Sequence, residues 1–454
     1  MKKILLFLII SQLCFSQVFE TTAIFESGSR DKRINMVVLG DGFTAEQQAD
    51  FIANATSLVN YVFSKQPYAQ YKNYFNVYAI KVISAESGVK HPGTATDVTE
   101  PIITVTNPNN FLGSSFDVGG THRCLYSNST NKVTNVLASN VPDFDIAFIL
   151  GNSTEYGGCG GTYAFLSKHS QANEIVVHEL GHSFGKLADE YWFSGSGESP
   201  NKTQNSNIAS NKWKNWSGTN GVGIYAYEEN PNWFRPHQNC EMRYLNREFC
   251  SVCKQQLIER VHFLQNPIDS FTPSNTSAIN LTGELTFSVN EILPVPNTLE
   301  NTWSVNGSAI SNTSSSATIS PETFTNGVNT VLFSVVDKNS LLKIDNHEVF
   351  HVSTISWTVN KTLSAIDVKA NQRNFQVYPN PAKSQIFIKD ETKNLKNITV
   401  EIYDATGRNL KNPRVQNLSS TEVSVNVDGL LPQTYIIKVY ENKALILTQK
   451  IIKE

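Results

Sequence analysis

Charge, long apolar runs, cysteine and methionine are all sparse in this 454-residue chain, and each scarcity excludes something. Charged residues make up 17% of the chain and the net charge is -3. No basic run is interleaved with aromatics, which argues against nucleic acid as a partner. Beyond the N-terminus no apolar run reaches the length of a bilayer span, so no transmembrane segment is expected. There are six cysteines and none follows Cys253. The segment from Phe375 onward contains neither histidine nor cysteine, so it can supply no metal ligand of those types and no bridge. Methionine occurs three times, at Met1, Met36 and Met242. There is no internal repeat and no low-complexity tract. Against these absences stands a 40% hydrophobic content, which is that of a globular protein. The length exceeds one typical core and predicts several domains.

The N-terminus, MKKILLFLIISQLCFSQ, has the layout of a secretory signal peptide over residues 1–16. Lys2 and Lys3 form a basic start, Ile4 to Ile10 an apolar core, and Ser16 a small residue before the cut. Cys14 lacks a preceding small residue, which argues against a lipoprotein. Removal of this segment leaves Cys124, Cys159, Cys240, Cys250 and Cys253. In an oxidising compartment these predict two disulfides and one leftover thiol.

Along the chain, INMVVLGDG (34–42) reads as a buried strand ending in a Gly-Asp-Gly turn. Phe51, Ala55, Leu58, Val59, Val62 and Phe63 recur at helical spacing. Strand-like runs follow at 75–84 and 144–150, then the glycine-rich YGGCGGTYA. Helices are expected over 173–184 and 254–265. Residues 17–267 therefore read as a domain of α/β order. After Pro267 the texture changes to short alternating segments separated by Asn, Ser, Thr and Gly. This predicts an immunoglobulin-like β-sandwich over 268–360. A polar linker is expected at 361–374, and alternating strands resume over 375–454.

One stretch carries chemistry: VVHELGHSFGKLADEY, Val176 to Tyr191. On a helix, positions i and i+4 share a face, so His178 and His182 can aim two ring nitrogens at one metal ion. Glu179 lies about 100° around the helix, beside the ion, where a carboxylate can take a proton from attacking water. The bland alternative is a solvated helix with incidental histidines. Ile175, Val176, Val177, Leu180 and Phe184 would bury this helix, and a buried histidine pair without a partner is costly.

A third ligand is needed. Gly185 follows His182 by three residues, as in the metzincin pattern HExxHxxGxxH, and it permits a turn out of the helix. The position of the third histidine is occupied here by Ala188, and Asp189 and Glu190 come next. In a continuing helix Asp189 would be about 16 Å from His178. With a turn it can reach the same ion. Asp189 is therefore the expected third ligand, and Glu190 a supporting or alternative carboxylate. Met242 is the one methionine after this motif and a candidate for the methionine turn beneath a metzincin zinc. Tyr244 completes a Met-x-Tyr arrangement like that of astacin-like and serralysin-like enzymes, in which the tyrosine can stabilise the oxyanion. Cys250-x-x-Cys253, with His237 and Cys240 upstream, is open to reading as a structural zinc site. Export favours disulfides instead: Cys124–Cys159, and one bridge within Cys240, Cys250 and Cys253.

LGDGFT, HELGHSFGKLADEY, NCEMRY and FCSVC together resemble the IgA-peptidase-like metallopeptidases, the igalysin branch of the metzincins, from about Asn35 to Phe263. The resemblance implies an α/β metzincin-type zinc endopeptidase. It would cut extracellular proteins, immunoglobulin or another glycoprotein among them, with Zn²⁺ as cofactor and Glu179 as general base. VYPNPAKSQIFI (377–388), VEIYDATGR (400–408) and the terminal LPQTYIIKVYENKALILTQKIIK resemble a C-terminal type IX secretion sorting domain. That resemblance implies the type IX machinery as partner, and a secreted or surface location reached through the periplasm and outer membrane of a Gram-negative bacterium. The rival reading is a surface binding or adhesion protein in which the sandwich acts and the metal site is structural or vestigial. Retention of Glu179 speaks against it, since a structural site has no use for a base.

Overall fold

The computed structural model describes residues 18–98, 104–192, 197–362, 374–404, 407–410 and 413–454. The expected signal peptide, Cys14, most of the expected linker, and Ala405 and Thr406 of the sorting motif lie outside the described residues. Strands predominate and helices are few among the described residues. The chain forms two compact units, Met1–Leu257 and Ile258–Glu454.

The first unit is built on six strands: β1 (Thr21–Phe25), β2 (Ile34–Asp41), β3 (Phe75–Ile80), β4 (Ile146–Gly151), β5 (Gly158–Cys159) and β6 (Ala164–Ser167). Their order in the sheet is β1-β3-β2-β4-β6-β5. The central pairs β3/β2, β2/β4 and β4/β6 are parallel, and both edges, β1 and β5, run antiparallel. Every residue of β2, β3 and β4 is buried. That is why these strands read as continuous apolar runs: a parallel sheet covered on both faces has no solvent side to alternate with. Helix α1 (Gln48–Val62) buries Phe51, Ala55, Leu58, Val59 and Val62, the stripe expected from its spacing. Helix α2 (Thr130–Asn140) adds Val133, Val136 and Leu137 to the core.

The Gly-Asp-Gly turn after β2 has a structural task. Asp41 is fully buried and accepts the backbone N–H groups of Leu112 and Ser114, each at 2.8 Å. Gly42 has φ +77°, and a Cβ there would meet the Gly88 carbonyl oxygen at 2.2 Å. Only glycine satisfies both conditions.

Three elements complete the first unit's scaffold. Helix α3 (Ala172–Ser183) packs on α1 and β6. The short pair β7 (Tyr225–Ala226) and β8 (Phe234–Arg235) follows. Helix α4 (Ser251–Leu264) starts in the first unit, and the division between units falls within it.

The second unit contains two sandwiches, each with its own apolar core. The first pairs a sheet of β14 (Ser316–Ile319), β11 (Leu285–Glu291) and β9 (Ile268–Thr272) with one of five strands. Those five are β10 (Ile279–Asn280), β16 (Ser353–Lys361), β15 (Gly327–Asp337), β12 (Leu299–Val305) and β13 (Ser308–Ile310). Their inner faces meet around Trp303 and Trp357, whose rings stack at 5.8 Å with Phe287 and Phe333 alongside. Truncating such a tryptophan to alanine costs about 3–5 kcal/mol. A short helix, α5 (His347–Phe350), precedes β16. The second sandwich joins β17 (Phe375–Tyr378), β18 (Gln385–Asp390), β21 (Glu422–Asn426) and β20 (Val415–Asn417) in one sheet. The facing sheet holds β19 (Ile398–Tyr403), β22 (Gln433–Glu441) and β23 (Ala444–Lys453).

Candidate functional site

Helix α3 turns its apolar residues Ile175, Val176, Val177 and Leu180 inward, and this burial fixes the direction of its two histidines. Their ring centroids are 4.8 Å apart and their Nε2 atoms 3.1 Å apart. The other ring nitrogens are occupied: His178 Nδ1 hydrogen-bonds the Glu241 carbonyl at 3.0 Å, and His182 Nδ1 the Leu187 carbonyl at 2.8 Å. A carbonyl can only accept, so each ring donates from Nδ1, which leaves the two Nε2 atoms facing a common point.

The chain reverses just after α3, though not as the glycine led us to expect. The left-handed residue is Lys186, with φ +58°, and Gly185 has no positive φ. Gly185 is required instead by close packing: a Cβ there would meet the Gly181 carbonyl oxygen at 2.7 Å and Leu257 Cδ2 at 2.8 Å. The turn brings Asp189 back, with Oδ1 3.1 Å from His178 Nε2 and 3.2 Å from His182 Nε2. Donor atoms bound tetrahedrally at about 2.0–2.1 Å stand roughly 3.3–3.4 Å apart, so the observed triangle fits one small cation. The electrostatics agree. Burial disfavours charge on His182, yet Asp189 more than offsets this and lifts its pKa to about 9. Burial likewise opposes charge on Asp189, and the two imidazoles hold it well below the usual carboxylate range. The carboxylate thus demands positive charge at the point where the three donors meet.

Asp189 is positioned by residues that the sequence did not single out. Asn201 accepts the Ala188 N–H and donates to the Ala188 carbonyl, both at 2.8 Å, and also donates to Glu190 Oε1 at 3.1 Å. Tyr227 donates its hydroxyl to the Asp189 carbonyl at 2.7 Å. An asparagine in a polar stretch carries no signal of such a role. Glu190, the next residue, is fully buried and does not join the histidines. Its N–H donates to the Met242 carbonyl at 2.7 Å, a backbone bond that ties the carboxylate turn to the methionine turn.

Glu179 is partly buried, and its carboxylate borders the cleft beside the three donors. A Cβ on Gly160 would meet Glu179 Oε2 at 2.3 Å, so the glycine-rich segment is glycine where it passes the carboxylate. Burial raises the pKa of Glu179, partly countered by the neighbouring histidines. The cleft measures about 620 Å³ and runs between the β5–β6 rim, at Gly158 to Tyr163, and the donors. β5 is the last strand of its sheet, and the Cys124–Cys159 disulfide, with Cα atoms 5.0 Å apart, fastens it.

Met242 is fully buried under α3: a Cβ on Gly181 would meet its sulfur at 2.3 Å. Tyr244 is not among the residues lining the cleft; it is half exposed, with the Arg243 guanidinium 4.8 Å from its ring centre. Tyr191 lines the cleft instead. Its ring stacks at 6.4 Å on that of His178, and its hydroxyl bonds Asp189. Its place just after Asp-Glu was the available signal. Cys240, Cys250 and Cys253 are free thiols, so the bridge expected within this trio is not formed. Cys240 Sγ and Cys253 Sγ stand 3.7 Å apart, against about 2.0 Å in a disulfide.

Residues 22–221 match the IgA Peptidase M64 family, and residues 376–454 match the secretion system C-terminal sorting domain. The front of this chain is an M64 peptidase domain. Its C-terminal segment is a type IX sorting domain, which implies export to the cell surface or release. No curated protein matches the sequence. Among solved structures, dimeric latent PorU from Porphyromonas gingivalis is 12% identical at a TM-score of 0.18, over 41% of this chain and 20% of that one. The mixed-linkage glucan protein SGBP-B of Bacteroides ovatus is 9% identical at 0.16, over 42% and 71%. Fibronectin(III)-like modules of Clostridium thermocellum CbhA are 11% identical at 0.15, over 41% and 91%. No helix among the described residues is long and apolar enough to cross a membrane.

Proposed function

We propose that the M64 domain is a zinc-dependent endopeptidase of metzincin type, with His178, His182 and Asp189 holding the ion and Glu179 as general base. The observation that carries this reading is the convergence of three donor atoms within 3.2 Å of one another, at the wall of a cleft that also presents Glu179. When bound, zinc supplies a Lewis acid that polarises a scissile carbonyl and acidifies water. Glu179 accepts the proton of the attacking water and returns it to the departing amine. Burial raises its pKa, which helps it hold that proton between the two steps. Tyr191, on the cleft wall, turns its one O–H from Asp189 to the developing oxyanion. An extended substrate adds as a strand beside Gly160 and Gly161, beyond Gly158, whose N–H already donates to the Arg123 carbonyl at 3.1 Å.

Residues 268–360 form, in this reading, an immunoglobulin-like domain: β10 runs parallel to β16 at the edge of the five-stranded sheet, opposite a three-stranded one. Residues 375–454 take the chain across the outer membrane of a Gram-negative cell after a signal peptide has taken it across the inner one. One experiment addresses both halves. Medium from cells making the full chain should hydrolyse casein or gelatin, lose that activity with a chelator and regain it with zinc. Deleting residues from Phe375 onward should leave the activity inside the cells. Glu179→Gln should lower hydrolysis by roughly 10²–10⁴-fold while the purified protein keeps its zinc. Full activity in the chelated enzyme or in the Glu179→Gln enzyme would sink the mechanism.

A further inference from the structure

Glu190 and the three free thiols are drawn from separate parts of the first unit, yet their donor atoms all lie within 4.8 Å of one another. Glu190, Cys240 and Cys253 are fully buried and Cys250 is 6% exposed. Two features need explaining. A carboxylate is buried with no cationic side chain among its ligating neighbours, and its Oε2 has no hydrogen-bond partner. Burial of such a group is costly unless something compensates it. Three cysteines also meet in an exported protein without pairing, although one bridge would use two of them.

The distances point to one cause. Zinc bound tetrahedrally at about 2.3 Å to sulfur and 2.0–2.2 Å to carboxylate oxygen sets two sulfurs about 3.8 Å apart, and sulfur and oxygen about 3.5 Å apart. Cys240 Sγ and Cys253 Sγ are separated by 3.7 Å, and Cys253 Sγ and Glu190 Oε1 by 3.3 Å. The Cys250 N–H donates to Cys240 Sγ at 3.3 Å. Cys250 immediately precedes α4 and Cys253 lies in its first turn, so the start of one helix presents two of the sulfurs.

We propose that Glu190, Cys240, Cys250 and Cys253 form a second metal site, closed to solvent, that holds a structural zinc ion. Four protein donors complete a tetrahedron, so no position is left for water or substrate. Binding is ligand exchange without oxidation: the ion replaces the protons of the thiols, which pass to solvent. The site would clamp three segments that the cleft depends on. Glu190 adjoins Asp189, Cys240 lies two residues before Met242, and Cys250 and Cys253 begin α4. His237, the ligand that the sequence offered for such a site, is not in the cluster; Glu190 takes its place.

The mature full chain, saturated with zinc and freed of excess by gel filtration, should carry two zinc ions. Cys253→Ser should carry one, and His182→Ala one, each variant losing a different ion. With cobalt in place of zinc, the thiolate-to-metal charge-transfer band should survive in His182→Ala and vanish in Cys253→Ser. Should Cys253→Ser fail to fold, the wild type still decides. A thiol-directed mercurial should release one of its two ions, and alkylation after denaturation without reductant should label three thiols. A wild-type chain with one ion and one alkylatable thiol would overturn the proposal. So would a charge-transfer band unaffected by Cys253→Ser. The count at the thiol site does not depend on catalysis, so its failure leaves the peptidase reading standing.

Discussion

Asp189 and Glu190 are neighbours in sequence with the same charge, and they end in opposite environments. Asp189 sits at the edge of the cleft with its side chain 15% exposed, against two imidazoles. Glu190 is wholly buried among sulfurs. Burial opposes ionisation of both. At Asp189 the histidines overcome it, and at Glu190 it prevails, reinforced by Cys240, so the carboxyl is pushed well above its ordinary range. The comparison shows how one turn of chain can feed two clusters of different kinds. Three donors facing a cleft leave a position open for chemistry, whereas four buried donors leave none. A third cluster, in the second unit, marks the contrast. Glu259 accepts from His347 at 2.8 Å and from His351 at 2.6 Å, while His262 and Asp337 meet at 2.8 Å. Here both oxygens of one carboxylate are taken by histidines, within the second unit.

Removing each carboxylate in turn should separate the two environments most clearly. Asp189→Ala should lower hydrolysis by about 10²-fold or more and empty the cleft site, with the thiol site still loaded. Glu190→Ala should leave the cleft ion in place and lower stability by about 3 kcal/mol, because it uncouples a buried polar cluster. Metal counts and thermal melts on both variants decide the matter; the reverse pattern would exchange the two roles. A smaller effect separates the tyrosines. Tyr191→Phe should reduce kcat by roughly 10–10²-fold with little change in metal content, whereas Tyr244→Phe should stay within about twofold. A larger loss at Tyr244 would return the oxyanion role to the Met-x-Tyr pattern.

The smallest effect concerns the third cluster and pH. Burial opposes ionisation of Glu259, but His347 and His351 hold its pKa down to about 2, below the ordinary 4.5. A depressed carboxyl pKa stabilises the fold above the unfolded value and loses that contribution as pH falls through the folded one. Wild-type stability should therefore decline more steeply between about pH 4.5 and 2 than that of Glu259→Gln, as followed by thermal melts. Parallel curves would show that this cluster is not held by charge.

Much of the site was legible because it is local. The spacing of His178 and His182 places two side chains on one face of any helix, whatever surrounds it. The buried runs of β2, β3 and β4 mark a covered parallel sheet for the same reason: a strand needs apolar residues on each face that it buries. Other features misled where a local rule had two solutions. A glycine after a helix signals either a left-handed residue or a close approach; Gly185 is the second, and Lys186 carries the left-handed turn. The oxidising compartment favoured a bridge among Cys240, Cys250 and Cys253, and the rule says nothing of a carboxylate brought to the same point.

Two histidines and a glutamate on one buried helix, a turn after it and a sheet behind it all follow from local pattern in the chain. Which acid faces the histidines, which tyrosine borders the cleft and what the cysteines meet emerge only once the chain is folded. The two sets differ in range. The first set depends on hydrogen bonds and burial within a few residues of chain. The second depends on partners far away in sequence: Asn201 holding Ala188 from 13 positions on, Cys253 meeting Glu190 from 63 positions on, and the Glu241 carbonyl orienting His178 across another 63.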